Sequence, residues 1–428
     1  MRTLDHSADA VTRLVLQLAV ILSAAKLGGE ISERYFKTPA VVGELAAGII
    51  IGPFALGGLD IPVLGSLFEH ARSVTEQGGF SIPVSEGLWS IAQVGAIILL
   101  FMAGLETDLR QFLRYAGPAA LVALGGVALP FVLGVAVTLA LGFADSVTDP
   151  RALFIGAVST ATSIGISVRV LGDLRRLDTP EGITIIAAAV LDDVVGIIIL
   201  TVVIGISVTS EFSASSVGLI ALKTLGFWVA LTGVGILLSK HISTFFGKFQ
   251  VSGAALALAL GLAFFSAALA EMFGLAMIIG AFSMGLALSG TELAKRLDEP
   301  LRGVYAIMIP IFFVVMGTLV DVTSLGSVWV FGLALTAVAV IGKVAGSGIP
   351  ALFTGFNRQG AFRIGIGMLP RGEVALIMAG IGLSHGIIGS DLFSVTIMMT
   401  IVTTLLAPLI LSRSFSSGVS GTRVETRT

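Results

Sequence analysis

The chain has 428 residues, of which 55% are hydrophobic and only 12% charged, with 53 glycines and a mean hydropathy of +1.02. A soluble chain of this size needs roughly 25% charged residues to cover its surface, about twice what is present, so a water-soluble globular protein is excluded. The net charge of −2, without a basic arm, speaks against nucleic-acid binding, and zero cysteines exclude disulfides, thiolate metal sites and cysteine nucleophiles.

Apolar stretches of roughly 17 to 25 residues cross a hydrocarbon layer of about 30 Å as helices. On that ruler thirteen segments emerge, at 9–34, 38–55, 88–107, 117–142, 152–172, 181–208, 216–239, 252–271, 273–290, 303–322, 327–355, 360–384 and 391–413. The expected fold class is an all-α polytopic membrane protein with about thirteen transmembrane helices. The longest polar connection, 56–87, is too short for a soluble domain, and the tail after Ser412 reads as a stub. The chain is therefore expected to be a single membrane domain, 1–428. The four histidines, His6, His70, His241 and His385, are too scattered to form a metal cluster by local spacing.

Lysine and arginine favour cytoplasmic loops. With the N-terminus outside, eighteen of the 25 basic residues fall on one side, in loops that include Lys26, Arg34, Lys37, Arg169, Arg175, Arg176, Arg358 and Arg363. Only Arg2, Arg13, Arg72 and Arg151 fall on the other, which predicts N-out, C-in and an odd number of spans. The same asymmetry argues that the first segment is retained rather than cleaved as a signal peptide, since cleavage would turn every arginine-rich loop outward.

Two pairs of segments resemble one another at an offset of seven helices. Leu99–Asp108 in the third resembles Phe312–Asp321 in the tenth, and Gly43–Gly48 in the second resembles Gly280–Gly285 in the ninth. An odd offset makes the second copy enter the membrane from the opposite side, the pattern of an inverted repeat.

Ionisable groups at membrane depth are costly and are candidates for function. They are Glu44, Asp192, Asp193, Lys343, Arg371 and Glu373, whereas Lys223, Glu271, Asp108 and Asp321 read as interfacial anchors. Asp192 and Asp193 lie near mid-helix and diverge by about 100°, so they face different partners. Two carboxylates this close in a low dielectric resist simultaneous ionisation, and a carboxylate that takes up a proton near neutral pH and also ligates a small hard cation can exchange one for the other. Lys343 needs a carboxylate partner; Asp192 is preferred and Asp193 is the alternative. Glu44 is expected to bond a neighbouring helix or line an interface, without a transport role.

Two segments read as interrupted helices: Ser159–Ser167, rich in hydroxyls, and Gly365–Glu373, with a break at Pro370–Gly372. They are again seven segments apart. Unwound backbone at this depth puts opposed helix ends and free carbonyls beside a cation site. The bland readings are interhelical hydrogen bonding for the hydroxyls and, here preferred, a structural ion pair of Arg371 with Glu373 bracing the second break.

These residues carry a family resemblance. Pro39–Pro53, Leu99–Asp108, Ala161–Leu171, Ala187–Gly196, Gly280–Leu286, Pro310–Gly317, Gly342–Val344 and Met368–Leu376 are similar, in order, to the bacterial Na+/H+ antiporters of the cation:proton antiporter superfamily, NapA-like branch. The resemblance implies a scaffold or dimerisation part at 1–107 and 252–322, a core transport part at 117–208 and 327–413, and a linking helix at 216–239. It further implies two broken helices crossing beside the aspartates. By position Asp193 matches the principal ion- and proton-binding carboxylate, Asp192 the one paired with lysine, and Lys343 that lysine. Thr162 and Ser163 fall on one broken helix, and Pro370, Arg371 and Glu373 on the other. Related potassium-efflux systems commonly have Gln at the first acidic position and a nucleotide-binding domain after the membrane part; Asp192 and the short tail point to sodium.

The expected function is secondary exchange of Na+ or Li+ for H+, probed at Asp193 and Asp192 as transient cation ligands, with an electrogenic cycle if Lys343 also exchanges a proton. K+/H+ exchange is the alternative, followed by a cation channel; an intramembrane aspartyl protease is disfavoured because its two aspartates must sit on separate helices. The chain is expected to be no enzyme, to need no cofactor beyond its transported ions, and to lie in a cell's inner (plasma) membrane as a homodimer among lipids.

Overall fold

The computed structural model describes residues 2–61, 65–68, 84–209, 214–320, 329–384, 386–416 and 419–423. In chain order the helices are α1 (Arg2–Ile31), α2 (Ala40–Ile51), α3 (Glu86–Glu106), α4 (Leu109–Ala140), α5 (Pro150–Val158), α6 (Ile164–Asp173), α7 (Pro180–Thr209) and α8 (Ala214–Phe246). They continue as α9 (Ala254–Met272), α10 (Met277–Leu288), α11 (Glu292–Thr318), α12 (Trp329–Phe353), α13 (Arg358–Gly367), α14 (Glu373–Ser384) and α15 (Ser390–Ser416). A two-residue antiparallel pair, β1 (Asp60–Ile61) with β2 (Gly65–Ser66), follows α2. Among the described residues ten helices are long and apolar enough to cross a membrane. The segments at 152–172 and 360–384 are helix pairs, α5 with α6 and α13 with α14, broken where hydroxyls and Pro370 stand.

Polar caps set several helix starts, because the first turn of a helix leaves backbone N–H groups without intrahelical partners. Asp108 accepts the Gln111 N–H at 2.8 Å, so this residue, read as an interfacial anchor, is the N-cap of α4. Asn357 accepts the Gly360 N–H at 2.9 Å at the start of α13. In the loop before α5, Asp149 accepts the Arg151 N–H at 2.9 Å, and the Arg151 guanidinium beside it holds its carboxyl down at about 2. Asp321 and His385 lie outside the described residues, as does His70.

The helices pack as two groups. One comprises α1, α2, α3, α9, α10 and α11; the other comprises α4 to α7 and α12 to α15. Helix α8 leans on α10 and α9 of the first group and on α7 of the second. Contact between the groups runs chiefly through α6 against α3 and α2, and α15 against α2.

Glycines let the helix backbones approach within each group, the usual way apolar helices associate where no hydrophobic driving force is available. A Cβ on Gly48 would sit 2.1 Å from the Val314 carbonyl oxygen, and one on Gly317 would sit 2.2 Å from that of Leu45. The second crossing repeats the first: a Cβ on Gly285 would meet the Phe101 oxygen at 2.2 Å, and one on Gly104 the Phe282 oxygen at 2.4 Å. Every residue of the second set is the counterpart of one in the first under the two sequence resemblances noted above. The α2–α11 and α3–α10 contacts are thus one contact made twice, as an inverted repeat requires.

Candidate functional site

The site begins with a missing hydrogen bond. Pro130 stands inside α4 and has no N–H to give the carbonyl four residues earlier, that of Gly126. Lys343, fully buried on α12, fills that vacancy: its Nζ donates to the Gly126 oxygen at 2.9 Å. The other two ammonium protons go to the Thr160 carbonyl at 2.6 Å and to Asp192 Oδ1 on α7 at 2.8 Å. All three donors of the ammonium are therefore used, which is what a buried lysine requires. The close approach that permits this comes from Gly342 packed on Pro130 and from Gly125 against Gly346.

Asp192 and Asp193 are both buried, 1% and 5% exposed. Asp193, one residue further along α7, is near enough to Lys343 for its charge to act on the ammonium. The second carboxylate oxygen of Asp192, Oδ2, has no hydrogen-bond partner among the described residues. Thr162 Oγ1 donates to the Met368 carbonyl at 3.2 Å, tying the first break to the second.

The two helix breaks cross and satisfy each other. The Ser163 N–H donates to the Pro370 carbonyl at 2.7 Å, and Ser167 Oγ donates to that of Gly367 at 2.5 Å. In the other direction Arg371, fully buried, sends Nη1 to the Ala161 carbonyl at 2.7 Å and to that of Val158, the last residue of α5, at 3.4 Å. A guanidinium at a helix C-terminus meets both the unpaired carbonyls and the negative end of the helix dipole. The Arg371 carbonyl in turn accepts the Thr404 hydroxyl from α15. Arg371, expected to pair with Glu373, thus braces the first break through its carbonyls; Glu373 heads α14, and its side chain lies outside the described residues.

Asp192, Thr162, Ser163, Lys343, Pro370 and Arg371 therefore share one locus with Asp193. Gly126 and Thr404 were not singled out in the sequence, whereas Thr160 lies within the interrupted stretch Ser159–Ser167 whose free carbonyls were expected beside the site. Gly126 had a readable signal, a proline four residues on in an apolar helix; a hydroxyl recruited from a distant helix has none.

Two basic residues expected in loops are instead buried. Arg363 on α13 is 3% exposed, with Nη1 2.8 Å from Glu181 Oε1, and its Nε and Nη2 donate to the Ser414 carbonyl at 3.2 and 3.1 Å. Arg169 on α6 is 8% exposed and faces Glu44. The loop rule counts charge by position along the chain and does not see a short helix that folds inward. Without these two the charge asymmetry keeps its sign.

A bundle of apolar helices around two crossed breaks and a buried lysine–aspartate pair has the build of a multi-pass membrane carrier of the secondary-transporter class. Residues 19–416 match the family described as sodium/hydrogen exchanger, transmembrane, and the chain belongs to that family. It is 35% identical over 402 residues to the Na+/H+-K+ antiporter GerN of Bacillus cereus, covering 94% of this chain and 96% of that protein. It is 37% identical over 419 residues to the high-affinity Na+/H+ antiporter NhaS3 of Synechocystis, covering 92% and 88%. The fold is also that of the sodium proton antiporter MjNhaP1 of Methanocaldococcus jannaschii, with a TM-score of 0.67 at 18% identity over 95% of this chain and 98% of that one.

Proposed function

We propose that the chain exchanges Na+ or Li+ for H+ across a cell's inner membrane by alternating access. The observation that carries this reading is the buried Lys343–Asp192 pair at 2.8 Å, set with Asp193 where two helix breaks cross. A small hard cation held here would be ligated by the aspartates together with hydroxyl and carbonyl oxygens. Asp193 takes either a proton or the cation, never both, and this competition couples the two flows. Cation binding displaces Lys343 from Asp192; if the freed ammonium sheds its proton, two protons move per Na+ and the cycle is electrogenic. A core whose carboxylates are neutralised by either ion crosses the low-dielectric layer at less cost than bare carboxylates, which ties the conformational change to occupancy.

The same reading assigns thirteen crossings with N-out and C-in, a scaffold at 1–107 and 252–322 that dimerises, a moving core at 117–208 and 327–413, and the linking helix at 216–239. The two packing groups described above support this division.

The test is proton flux in proteoliposomes against Na+, Li+ and K+ in turn, with membrane potential followed. Asp193→Asn is expected to abolish Na+-dependent proton flux, and normal flux in that variant overturns the assignment. GerN is named as an antiporter of K+ as well as Na+; flux driven by K+ but not Na+ selects that alternative, and cation flux independent of the proton gradient selects a channel.

A further inference from the structure

Arg169 reaches out of one helix group into the other. It sits on α6, the short helix that starts at the first break, with its Nη2 3.4 Å from Glu44 Oε1 on α2. Its guanidinium also lies 5.4 Å from the ring centre of Tyr305 on α11, and Nε is 3.2 Å from Asp173 Oδ2 on its own helix. Glu44 is 2% exposed, and its second oxygen, Oε2, has no hydrogen-bond partner among the described residues. The buried pairs Lys343–Asp192 and Arg363–Glu181 each stay inside one group, whereas Glu44–Arg169 crosses between them.

The contact between the groups beside this pair is mostly apolar. Leu45 and Ile49 of α2 and Ile166 of α6 line a cavity of only about 20 Å³, to which α15 adds the hydroxyl residues Thr400 and Thr404. Apolar faces slide past one another at little cost, but two opposite buried charges do not part until water replaces each partner. Glu44 and Arg169 lie toward the ends of α2 and α6 from which the chain runs into the loops that hold Lys37 and Arg175.

We infer that Glu44 and Arg169 form the ion pair that holds the two helix groups shut at the arginine-rich end, and that it opens and re-forms once in every transport cycle. Both are positioning residues, acting through α6 on the break at Ser163 rather than on the cargo. The inference rests on the alternating-access reading and deepens it by naming the contact that must break.

Because the chain has no cysteine, both tests use introduced ones alone. In the first, Leu45→Cys reports opening through its rate of reaction with a water-soluble maleimide. Adding Arg169→Gln is expected to speed labelling by about tenfold, the scale of a population shift once one state loses a contact; an unchanged rate overturns the inference. This readout needs no transport, so it stands or falls apart from the antiporter reading. In the second, Glu44→Cys with Arg169→Cys is joined by a short, reducible thiol cross-linker in proteoliposomes. Exchange is expected to stop on cross-linking and return with reductant, while exchange at the full rate in the cross-linked protein overturns the inference. Absence of cation-dependent flux in the unmodified protein strikes the antiporter reading instead.

Discussion

Lys343 is the residue on which most of the local chemistry converges. Its ammonium holds a carbonyl of α4 that Pro130 left vacant, a carbonyl of the first break, and a carboxylate of α7. Removing one partner of a buried ion pair leaves an uncompensated charge, which costs about 3 to 5 kcal/mol, whereas removing both costs much less. Lys343→Ala should therefore lower the melting temperature of the purified protein sharply, and Lys343→Ala combined with Asp192→Asn should recover much of the loss. Additive losses in that double-mutant cycle, read by thermal denaturation in one detergent, would show that the pair does not act as a unit. The burial of Asp192, Asp193 and Lys343 was legible in the chain, because a charge in an apolar run stands out against its neighbours. Arg169 was not, since it lies close to a loop and its burial depends on where α6 folds.

Among the elements, the two interrupted helices matter most, and both breaks were readable from composition: hydroxyls around Ser163 and the Pro370–Gly372 stretch. Their crossing depends on a missing side chain. A Cβ on Gly372 would stand 2.8 Å from Ser163 Oγ and 3.0 Å from Ser163 Cβ, so any larger residue pushes the breaks apart and strains the Ser163–Pro370 hydrogen bond. Overpacking of this kind costs about 1 to 3 kcal/mol. Gly372→Val should both lower stability and suppress Na+-dependent flux. Gly226→Val, on α8 where a new Cβ meets nothing within 4 Å, should leave flux unchanged. Equal effects of the two substitutions, measured side by side in proteoliposomes, would remove the crossing from the mechanism. The glycine pairs Gly48–Gly317 and Gly104–Gly285 show a different kind of legibility. Their sequence likeness was visible beforehand, but that each pairs across the repeat, α2 with α11 and α3 with α10, emerged only from the packing.

For the whole molecule, charge sorting along the chain and packing in space give separate kinds of information. Loop charge predicts which face of the membrane each connection meets, and packing divides the helices into two groups with few contacts between them. A cysteine-free chain makes the orientation directly testable. Ser146→Cys, in the exposed connection before α5, should react with an impermeant maleimide on intact cells. Lys295→Cys, exposed at the start of α11, should react only after the membrane is opened. The reverse pattern would invert the proposed topology and place the Glu44–Arg169 pair at the outer end of the interface.

What the sequence by itself determined was the class of molecule, the run of apolar segments, the places where helices break and those buried charges that stand in mid-segment, Arg169, Glu181 and Arg363 excepted. These are set by the cost of exposing backbone and of burying charge, and such costs are local enough to be read residue by residue. What only the tertiary structure decided was which partner each buried group meets. The three bonds of Lys343 join residues 217, 183 and 151 positions apart, and Arg371 reaches across 210. Pairings over such separations leave no trace in neighbouring residues; they exist because glycine-lined crossings bring the backbones together, and the buried polar groups then take whichever partners that geometry supplies.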